Sequence, residues 1–292
     1  MKMENKVVVV TGASSGMGRA IVERFVREGA KVVAVARRRE RLEALAAELA
    51  DAPGKVAVYV GDIGSREVNE GMIDFAVETF GALDVLVNNA GIMDDMAPIG
   101  DATDEKYEQV MRVNVYGPIT AIRKAVNYFK EAGRPGNIIN VTSEGGTHSC
   151  AGVIYCASKA AMNSVTRNTS YMYQNDNIRC NAIAPGGINT EIANSMGMPN
   201  MAGYERVQTV LACSPKPGSP EQIAAAALFF GERRVLLRQR RDPARRRRLV
   251  RDVTEAVTKQ EEKRKGRLGH LPCRGCPKVA FVSQFNMFLE TV

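Results

Sequence analysis

A run of four valines leads directly into a glycine-rich turn, in the sequence Val7-Val8-Val9-Val10-Thr11-Gly12-Ala13-Ser14-Ser15-Gly16-Met17-Gly18. A short β-branched run is typical of a buried parallel strand, and glycines where a strand passes into a helix let the backbone approach a pyrophosphate. The N-terminus of that helix then faces the negative charge. The stretch therefore predicts a dinucleotide-binding turn, whose binding residues are Gly12, Ser14, Ser15, Gly16, Met17 and Gly18.

The same alternation of strand-like and helix-like segments continues to Phe230. Further short apolar runs lie at residues 32–35, 56–60, 85–87, 138–141 and 178–184, and amphipathic helical stretches separate them. Strands that alternate with helices in this way form a parallel sheet covered on both faces. We therefore predict an α/β fold with a doubly wound parallel sheet, the Rossmann fold, as a single domain over residues 1–230.

The end of the second predicted strand indicates which dinucleotide is bound. It reads Ala34-Val35-Ala36-Arg37-Arg38-Arg39. A carboxylate at this place binds the adenosine ribose hydroxyls, whereas arginine beside a small neutral residue accommodates a 2′-phosphate. The sequence favours NADP(H), held first by Arg37, then by Arg38, with Ser14 as a hydroxyl donor. NAD(H) is the alternative.

Composition excludes other classes of protein. The chain has 292 residues, of which 45% are hydrophobic, and no apolar run approaches the roughly 18 residues that span a membrane. No signal-like apolar segment follows Met1. The six cysteines are scattered, and only Cys273 and Cys276 are spaced like zinc ligands, without a second pair. We expect a cytoplasmic protein with free thiols, no metal site and no membrane contact.

The net charge of +8 is concentrated at one end of the chain. Residues 1–230 carry 23 Lys and Arg against 25 Asp and Glu, whereas residues 231–292 carry 17 against 7. The predicted domain is therefore slightly acidic, and nucleic-acid binding by it is not expected. Ten arginines between Arg233 and Arg251 show no apolar periodicity. This composition predicts an irregular or disordered basic tail over residues 231–292.

Tyr155 and Lys159 are four residues apart on a predicted helix, so the phenol and the ammonium group share one face. A nearby positive charge stabilises a phenolate and is expected to lower its pKa toward neutral pH, where proton transfer to a carbonyl oxygen is efficient. A helix surface also carries such pairs, so a catalytic role depends on the remaining motifs.

Taken together, the motifs over residues 5–230 resemble the short-chain dehydrogenase/reductase family, in the branch of 3-oxoacyl-thioester reductases and hydroxysteroid dehydrogenases. The motifs follow the family's order along the chain: the glycine-rich turn, Asp62-Ile63, Asn88-Asn89-Ala90-Gly91, Asn114, Ser143, Tyr155 with Lys159, and Pro185-Gly186-Gly187-Ile188-Asn189-Thr190.

The resemblance implies roles for these residues. Tyr155 would be the general acid/base, Ser143 would orient and polarise a carbonyl, Lys159 would bind the nicotinamide ribose, and Asn114 would anchor a proton-relay water. The cofactor would also contact Asp62, Ile63, Asn88, Ala90, Gly91, Tyr155, Lys159, Pro185, Gly186, Ile188 and Thr190.

The implied activity is hydride transfer between NADP(H) and a secondary alcohol or ketone, such as a 3-oxoacyl thioester or a hydroxysteroid, by a homo-oligomer that is a dimer or tetramer. The alternative is a catalytically impaired dinucleotide-binding protein whose basic tail contacts nucleic acid or an anionic surface.

One spacing departs from the family, whose catalytic serine and tyrosine lie one position further apart than Ser143 and Tyr155. Counting back from Tyr155 therefore selects Thr142. We favour Ser143, because the preceding strand sets the register and a loop absorbs a deletion more easily. In this loop Glu144, His148 and Cys150 are expected on the substrate side, although His148 also suits an exposed loop. The apolar segment at residues 191–217 suits either an adaptable lid or ordinary helix packing.

The tail also departs from the family, which ends with an acidic segment, a final strand and Asp-Gly-Gly. Synonymous codons for residues 231–252, read one base later, can spell ASDESSFVNGAILPVDGGWSVT, and the next shifted codon can be a stop. We therefore hypothesise a frameshift near Phe230, real or from sequencing, that removes the final edge strand. The nucleotides of the gene decide this: codons that do not yield the shifted string exclude the frameshift.

Overall fold

The centre of the protein is a sheet with the strand order β3-β2-β1-β4-β5-β6-β7. A computed structural model describes residues 1–232 and 287–290 of the chain. The first six strands are parallel to one another, and they are β1 (Val7–Thr11), β2 (Lys31–Ala36), β3 (Lys55–Val60), β4 (Val85–Asn88), β5 (Gly136–Val141) and β6 (Ile178–Pro185). The predicted doubly wound Rossmann fold is confirmed.

Helices cover both faces of the sheet. In chain order they are α1 (Gly16–Arg27), α2 (Arg39–Glu48), α3 (Arg66–Phe80), α4 (Asp104–Met111), α5 (Gly117–Glu131), α6 (Val153–Met172), α7 (Met201–Leu211) and α8 (Pro220–Gly231). Short 3-10 turns lie at Ile99–Asp101, Glu144–Gly146, Gln174–Asp176 and Glu191–Ser195, and one π-helical turn, Arg112–Tyr116, joins α4 to α5.

The two faces of the sheet form two separate hydrophobic clusters, which explains the uninterrupted valine run. Val8 and Val10 point into the cluster that contains residues of α1, α2 and α8, whereas Val7 and Val9 point into the one that contains residues of α3, α5 and α6. Successive side chains of a strand alternate between faces, so a strand buried on both sides must be apolar at every position.

The strand order reverses between β1 and β4, because the chain proceeds outward to β2 and β3 on one side and to β5 and β6 on the other. The loops that leave the carboxyl ends of β1 and β4 therefore diverge and open a crevice above the sheet. The predicted site residues lie on these loops and on the strand ends and helices next to them, and such a crevice is the usual ligand site of these folds.

The sequence predicts that the final strand at the far edge of the sheet is missing, but the structure has a strand at this edge. Residues Met287–Glu290 form β7, which pairs antiparallel with β6. An exposed edge strand offers unpaired backbone N–H and C=O groups, so an extended segment of either direction can hydrogen-bond to it. Residues 233–286 and 291–292 lie outside the described residues. The predicted basic tail beyond Glu232 and the frameshift hypothesis concern these residues and stay predictions.

Helix α8 has defined ends before the tail begins. Ser219 and Gln222 form a capping box at its start. At its other end, the Phe230 carbonyl oxygen accepts hydrogen bonds from the Asn137 side-chain amide at 2.8 Å and from the Arg179 guanidinium at 3.1 Å. A positive group at a helix C-terminus satisfies otherwise unpaired carbonyls and interacts favourably with the helix dipole. Residues that precede the tail thus cap both ends of α8.

Two features of the described residues bear on whether the protein spans a membrane or binds a metal ion. Within residues 1–232, no helix is long and apolar enough to cross a membrane. The same part of the chain contains no group of His, Cys, Asp and Glu side chains arranged to hold a metal ion. Cys273 and Cys276, the one pair with zinc-like spacing, lie outside the described residues.

Candidate active site

The glycine-rich turn between β1 and α1 requires glycine for two separate reasons. Gly12 and Gly16 have positive φ angles of 69° and 52°, in the left-handed region that favours glycine. Gly18 has no room for a side chain, because a Cβ there would lie 2.2 Å from the Gly12 carbonyl oxygen. These constraints bring backbone N–H groups of the turn to the crevice.

The first turn of α1 fits an anion. No acidic residue lies in it, and the N-cap residue Ser15 makes no side-chain capping hydrogen bond, so the N–H groups and the positive end of the helix dipole are not neutralised. Thr190, from the loop after β6, lies over the turn, since a Cβ at Gly16 would be 3.0 Å from its methyl carbon. The donor set therefore fits the pyrophosphate of a dinucleotide.

Arg38 lies beside this turn, at the start of α2. Its Nη2 is 2.9 Å from the Ser14 hydroxyl oxygen and 2.7 Å from the Ser15 hydroxyl oxygen. Arg37, which the sequence places first as a 2′-phosphate ligand, points instead toward Asp62, with 3.9 Å between Nη1 and Oδ2, and its side chain is 73% exposed. The structure thus brings Arg38 closer to the turn than Arg37.

Glu191 pairs with the arginines across the crevice. Its carboxylate lies 3.1 Å from Arg38 Nη1 and 2.8 Å from Arg41 Nη1, and hydrogen bonds from Arg41 and then Arg38 lower the pKa of Glu191. Sequence patterns did not single out Glu191, because the pair joins residues more than a hundred positions apart. In the sequence, only the position of Glu191 directly after Thr190 indicates that it belongs to the site.

The loop after β4 forms the floor of the crevice. A Cβ at Gly91 would lie 3.2 Å from Lys159 Nζ and 3.3 Å from Asn114 Oδ1, so only glycine leaves this space open. The buried Asn114 is in the π-helical turn, accepts a hydrogen bond from Ile92 N at 2.9 Å and donates to Ser158 Oγ at 3.0 Å. Asn114 therefore ties the floor to α6, and π-helical turns often occur at functional sites.

The remaining cofactor residues predicted by sequence surround the same crevice. Ile63 is buried, and Asp62 accepts a hydrogen bond from Gly64 N at the end of β3. Asn88, the last residue of β4, donates to Asn140 Oδ1 at 2.9 Å. Pro185 ends β6, Gly186 follows it, and Ile188 forms a bridge to Gly218 beneath the loop that carries Thr190.

Ser143, and not Thr142, lies against Tyr155. Ser143 Oγ and Tyr155 Cε1 each lie 3.4 Å from the position of a Cβ on Gly145, and the Ser143 hydroxyl acts to lower the pKa of the Tyr155 phenol. Thr142 is buried and turned toward β6, where its backbone N donates to the Ile183 carbonyl oxygen at 2.8 Å and its hydroxyl donates to the same oxygen at 3.3 Å. The chain stays extended at Ser143, just past the end of β5, and adjacent side chains of an extended chain point in opposite directions.

Burial controls the protonation of Tyr155 and Lys159. It raises the pKa of the Tyr155 phenol above its ordinary range, and the hydrogen bond from Ser143 only partly opposes this. It lowers the pKa of Lys159 to about 8. The ammonium donates to the Val141 carbonyl oxygen at 3.3 Å and lies 5.5 Å from the centre of the Tyr155 ring. The expected lowering of the Tyr155 pKa by Lys159 is not found, because desolvation dominates in this interior.

The predicted substrate side is the loop between β5 and α6. A Cβ at Gly145 would lie within 3.5 Å of Ser143 Oγ, Tyr155 Cε1 and Cys150 Sγ, so these three atoms converge. Burial raises the pKa of the Cys150 thiol to about 12 and also raises that of the Glu144 carboxyl. His148, also expected here, contacts Thr147 Oγ1 through its Nδ1 at 2.9 Å. The wall beside the catalytic pair is thus formed by a neutral thiol.

The apolar segment after β6 lies at the surface. Met198 is 90% exposed and Met201 is 59% exposed, and α7 carries the partly exposed Tyr204. The segment is connected to the floor loop, since Met93 N donates to Ser195 Oγ at 2.9 Å. The segment therefore carries exposed apolar side chains and contacts the floor loop.

Asp94 is a buried residue that sequence patterns missed. It is 1% exposed, and its Oδ2 accepts a hydrogen bond from the backbone N of Tyr155 at 2.8 Å. In the sequence, Asp94 is indicated only as an acidic residue three positions after Gly91. Nothing in the sequence links Asp94 to α6.

Comparison with known proteins agrees with this geometry. The family model of the short chain dehydrogenases matches residues 6–200. The 3beta-hydroxysteroid dehydrogenase 2 of Eggerthella lenta is 43% identical over 231 residues, which are 78% of this chain and 88% of that protein. The 3-oxoacyl-(acyl-carrier-protein) reductase FabG of Thermotoga maritima is 36% identical over 233 residues, 79% of this chain and 92% of that protein.

Solved structures show the same similarity. The crystal structure of levodione reductase has a TM-score of 0.71 and 31% identity, and the match covers 79% of this chain and 92% of that one. A short chain dehydrogenase/reductase from Burkholderia phymatum, solved in complex with NAD, has a TM-score of 0.70 and 25% identity, and the match covers 78% and 86% of the two chains.

The chain belongs to the short-chain dehydrogenase/reductase family, whose members are oxidoreductases that bind a nicotinamide dinucleotide.

The buried Lys159 predicts how stability depends on pH. Between about pH 8 and its ordinary pKa of 10.5, the unfolded chain holds a proton that the folded protein lacks, so stability should rise with pH. Relative to Lys159→Met, the wild-type free energy of unfolding should increase across this interval by on the order of 1 to 3 kcal/mol. Urea denaturation at several pH values measures this. A constant difference between the two proteins would show that Lys159 titrates normally.

Proposed function

We propose that the protein is an NADP(H)-dependent oxidoreductase that interconverts a secondary alcohol and a ketone, with a hydroxysteroid or a 3-oxoacyl thioester as the substrate class. The observation that carries the proposal is the convergence of Ser143, Tyr155 and Lys159 at the mouth of the dinucleotide crevice. The exposed apolar segment at residues 191–217 suits a bulky ketone, and relatives named for hydroxysteroid and 3-oxoacyl chemistry support both substrate classes.

The chain's own residues supply binding and proton transfer. The dinucleotide, when bound, supplies or accepts the hydride. Ser143 donates a hydrogen bond to the substrate carbonyl oxygen and stabilises the negative charge that develops there. Tyr155 gives its phenolic proton to the same oxygen during reduction and takes it back during oxidation. Lys159 holds the nicotinamide ribose and places a positive charge near the phenol.

The raised pKa of Tyr155 bears on the direction of proton transfer. A buried phenol keeps its proton at neutral pH, so in reduction it is in the form that an acid requires. During reduction, negative charge builds up on the substrate carbonyl oxygen beside the phenol. The phenol stabilises this charge by sharing its proton with that oxygen, and it need not ionise first. The site therefore suits reduction without an activated phenolate in the resting protein.

The preference for NADP(H) is supported by the surroundings of Arg38. The strand that precedes it ends in Ala36, which leaves no carboxylate to bind ribose hydroxyls there. Arg38 already contacts the hydroxyl groups of Ser14 and Ser15, so its guanidinium lies at the edge of the pyrophosphate turn. The planar guanidinium of arginine can bind two oxygens of a 2′-phosphate with two hydrogen bonds.

Activity of the catalytic residues is tested with three variants. Tyr155→Phe should abolish ketone-dependent NADPH oxidation, and Ser143→Ala should reduce kcat by about 100-fold or more, because one donor to the developing oxyanion is lost. Thr142→Val is the matched control, since Thr142 faces β6, and it should retain kcat within about threefold. Absorbance of NADPH with a panel of steroid ketones and 3-oxoacyl thioesters measures all three. Activity that survives Tyr155→Phe would refute the mechanism.

Cofactor preference is tested at Arg38. Arg38→Leu should weaken NADPH binding by about 10- to 100-fold, because a charged hydrogen-bonding group contributes roughly 1.5–3 kcal/mol, and it should leave NADH binding nearly unchanged. Arg39→Leu is the matched control, since Arg39 pairs with Glu43 on α2. Fluorescence titration of both cofactors measures the affinities. Equal losses for NADPH and NADH would contradict a 2′-phosphate contact.

We further propose that a second copy of the chain covers the groove between α5 and α6, which has a volume of about 400 Å³ and is lined in part by Ile119, Val126 and Val165. A groove that two long helices line with aliphatic and polar side chains suits a symmetric contact. Sedimentation equilibrium should report at least a dimer, and Ile119→Arg should shift the mass toward the monomer. A wild-type monomer at micromolar concentration excludes this association.

A further inference from the structure

Asp94 contacts the catalytic helix at its first turn. The residue lies in the loop after β4 and is 1% exposed. Its Oδ2 accepts a hydrogen bond from Tyr155 N at 2.8 Å, and its Oδ1 accepts one from Met96 N at 3.1 Å. Tyr155 is the third residue of α6, so its N–H is one of the groups that the helix itself leaves unpaired.

The helix supplies no capping group of its own at this end. The N-cap residue is Gly152, which has no side chain to accept a hydrogen bond, and no acidic residue lies in the first turn. Asp94 therefore provides from another element what Ser, Asp or Asn usually provides within the helix. A buried carboxylate is costly unless hydrogen bonds and favourable charge compensate it, and here two backbone N–H groups and the positive end of the helix dipole do so.

The carboxylate of Asp94 packs so closely against Gly152 that a side chain at position 152 would meet it. A Cβ built on Gly152 would lie 2.3 Å from both carboxylate oxygens, although the φ angle of −66° at Gly152 suits any residue. A second bond in parallel joins Val153 N to the Ala97 carbonyl oxygen at 3.1 Å. The loop from Asp94 to Ala97 thus holds two backbone N–H groups of the first turn of α6.

We propose that Asp94 is a positioning residue for Tyr155: its carboxylate fixes the first turn of α6 and so holds the phenol against Ser143. This inference rests on the proposed function, because Tyr155 is its acid. The same contact adds an electrostatic effect. Burial is the main cause of the raised pKa of the Tyr155 phenol, and the negative charge of Asp94 adds to it by disfavouring the phenolate.

The first experiment compares Asp94→Asn with Asp95→Asn, a neighbouring carboxylate that makes no contact with Tyr155. Asp94→Asn should lower kcat by about 10- to 100-fold, because a displaced acid is a poor proton donor, and should leave the KM for NADPH unchanged. Its kcat should also begin to fall at a lower pH than in the wild type, since losing the negative charge lowers the pKa of Tyr155 and an acid must be protonated. Asp95→Asn should match the wild type.

A second experiment separates positioning from a general loss of folding. Gly152→Ala should reduce kcat about as much as Asp94→Ala, because its methyl group displaces the carboxylate. In the Asp94→Ala background, however, Gly152→Ala should cost nothing further, since the oxygens that it meets are absent. Such non-additivity is the signature of a shared contact. Additive losses would overturn the proposal, as would an Asp94→Asn enzyme with the wild-type kcat or the wild-type pH profile.

A readout without turnover distinguishes this inference from the proposed function. Ultraviolet titration of tyrosinate, with Tyr155→Phe subtracted, reports the Tyr155 phenol directly. It should ionise at a lower pH in Asp94→Asn than in the wild type. If this shift occurs while the wild type reduces no ketone, the proposed function fails and the positioning role stands. If the wild type is active and the shift is absent, the positioning role fails and the proposed function stands.

Discussion

The hydrogen bonds around Thr11 join the ends of β1 and β4, and the rest of the site depends on this connection. The Thr11 hydroxyl accepts hydrogen bonds from Asn89 N at 3.0 Å and from Ala90 N at 3.1 Å, and the Asn89 side chain donates to the Thr11 carbonyl oxygen at 2.9 Å. These bonds bring the glycine-rich turn and the floor loop together where the strand order reverses. They extend the pairing of β1 with β4 beyond the ends of the two strands and so fix the two walls of the crevice relative to each other.

From this point, a chain of contacts reaches the catalytic residues. The floor loop continues from Ala90 to Gly91 against Lys159, then to Ile92 with Asn114, and then to Asp94 against the first turn of α6. Each contact joins the β4 loop to a group on α6 or on the turn before α5. The position of the phenol relative to the dinucleotide crevice is thus set by backbone bonds to one loop, and it does not depend on side-chain packing alone.

The protonation of the site is governed by desolvation more than by the pairing of Tyr155 with Lys159. Both groups are nearly fully buried, which favours the neutral phenol and lowers the Lys159 pKa to about 8. A buried pair of this kind stores unfavourable free energy in the folded protein, as functional sites commonly do. The hydrophobic clusters on the two faces of the sheet offset that cost, since burying a large apolar side chain contributes about 1.5–3 kcal/mol.

Local sequence patterns were sufficient for the fold class, because strand alternation, glycine spacing and helical spacing act over a few residues. The same patterns supply the roles of the glycine-rich turn and of Ser143, which stay predictions. They did not reveal Asp94 or Glu191, and they ranked Arg37 ahead of Arg38. They also assigned Lys159 an effect on the Tyr155 pKa that burial outweighs. Each of these depended on which distant segments meet and on how much water remains between them. The contacts between distant segments and the amount of water between them are determined only by the packed sheet and helices. Hydrogen bonds across the crevice and the cost of desolvation arise when the chain is folded.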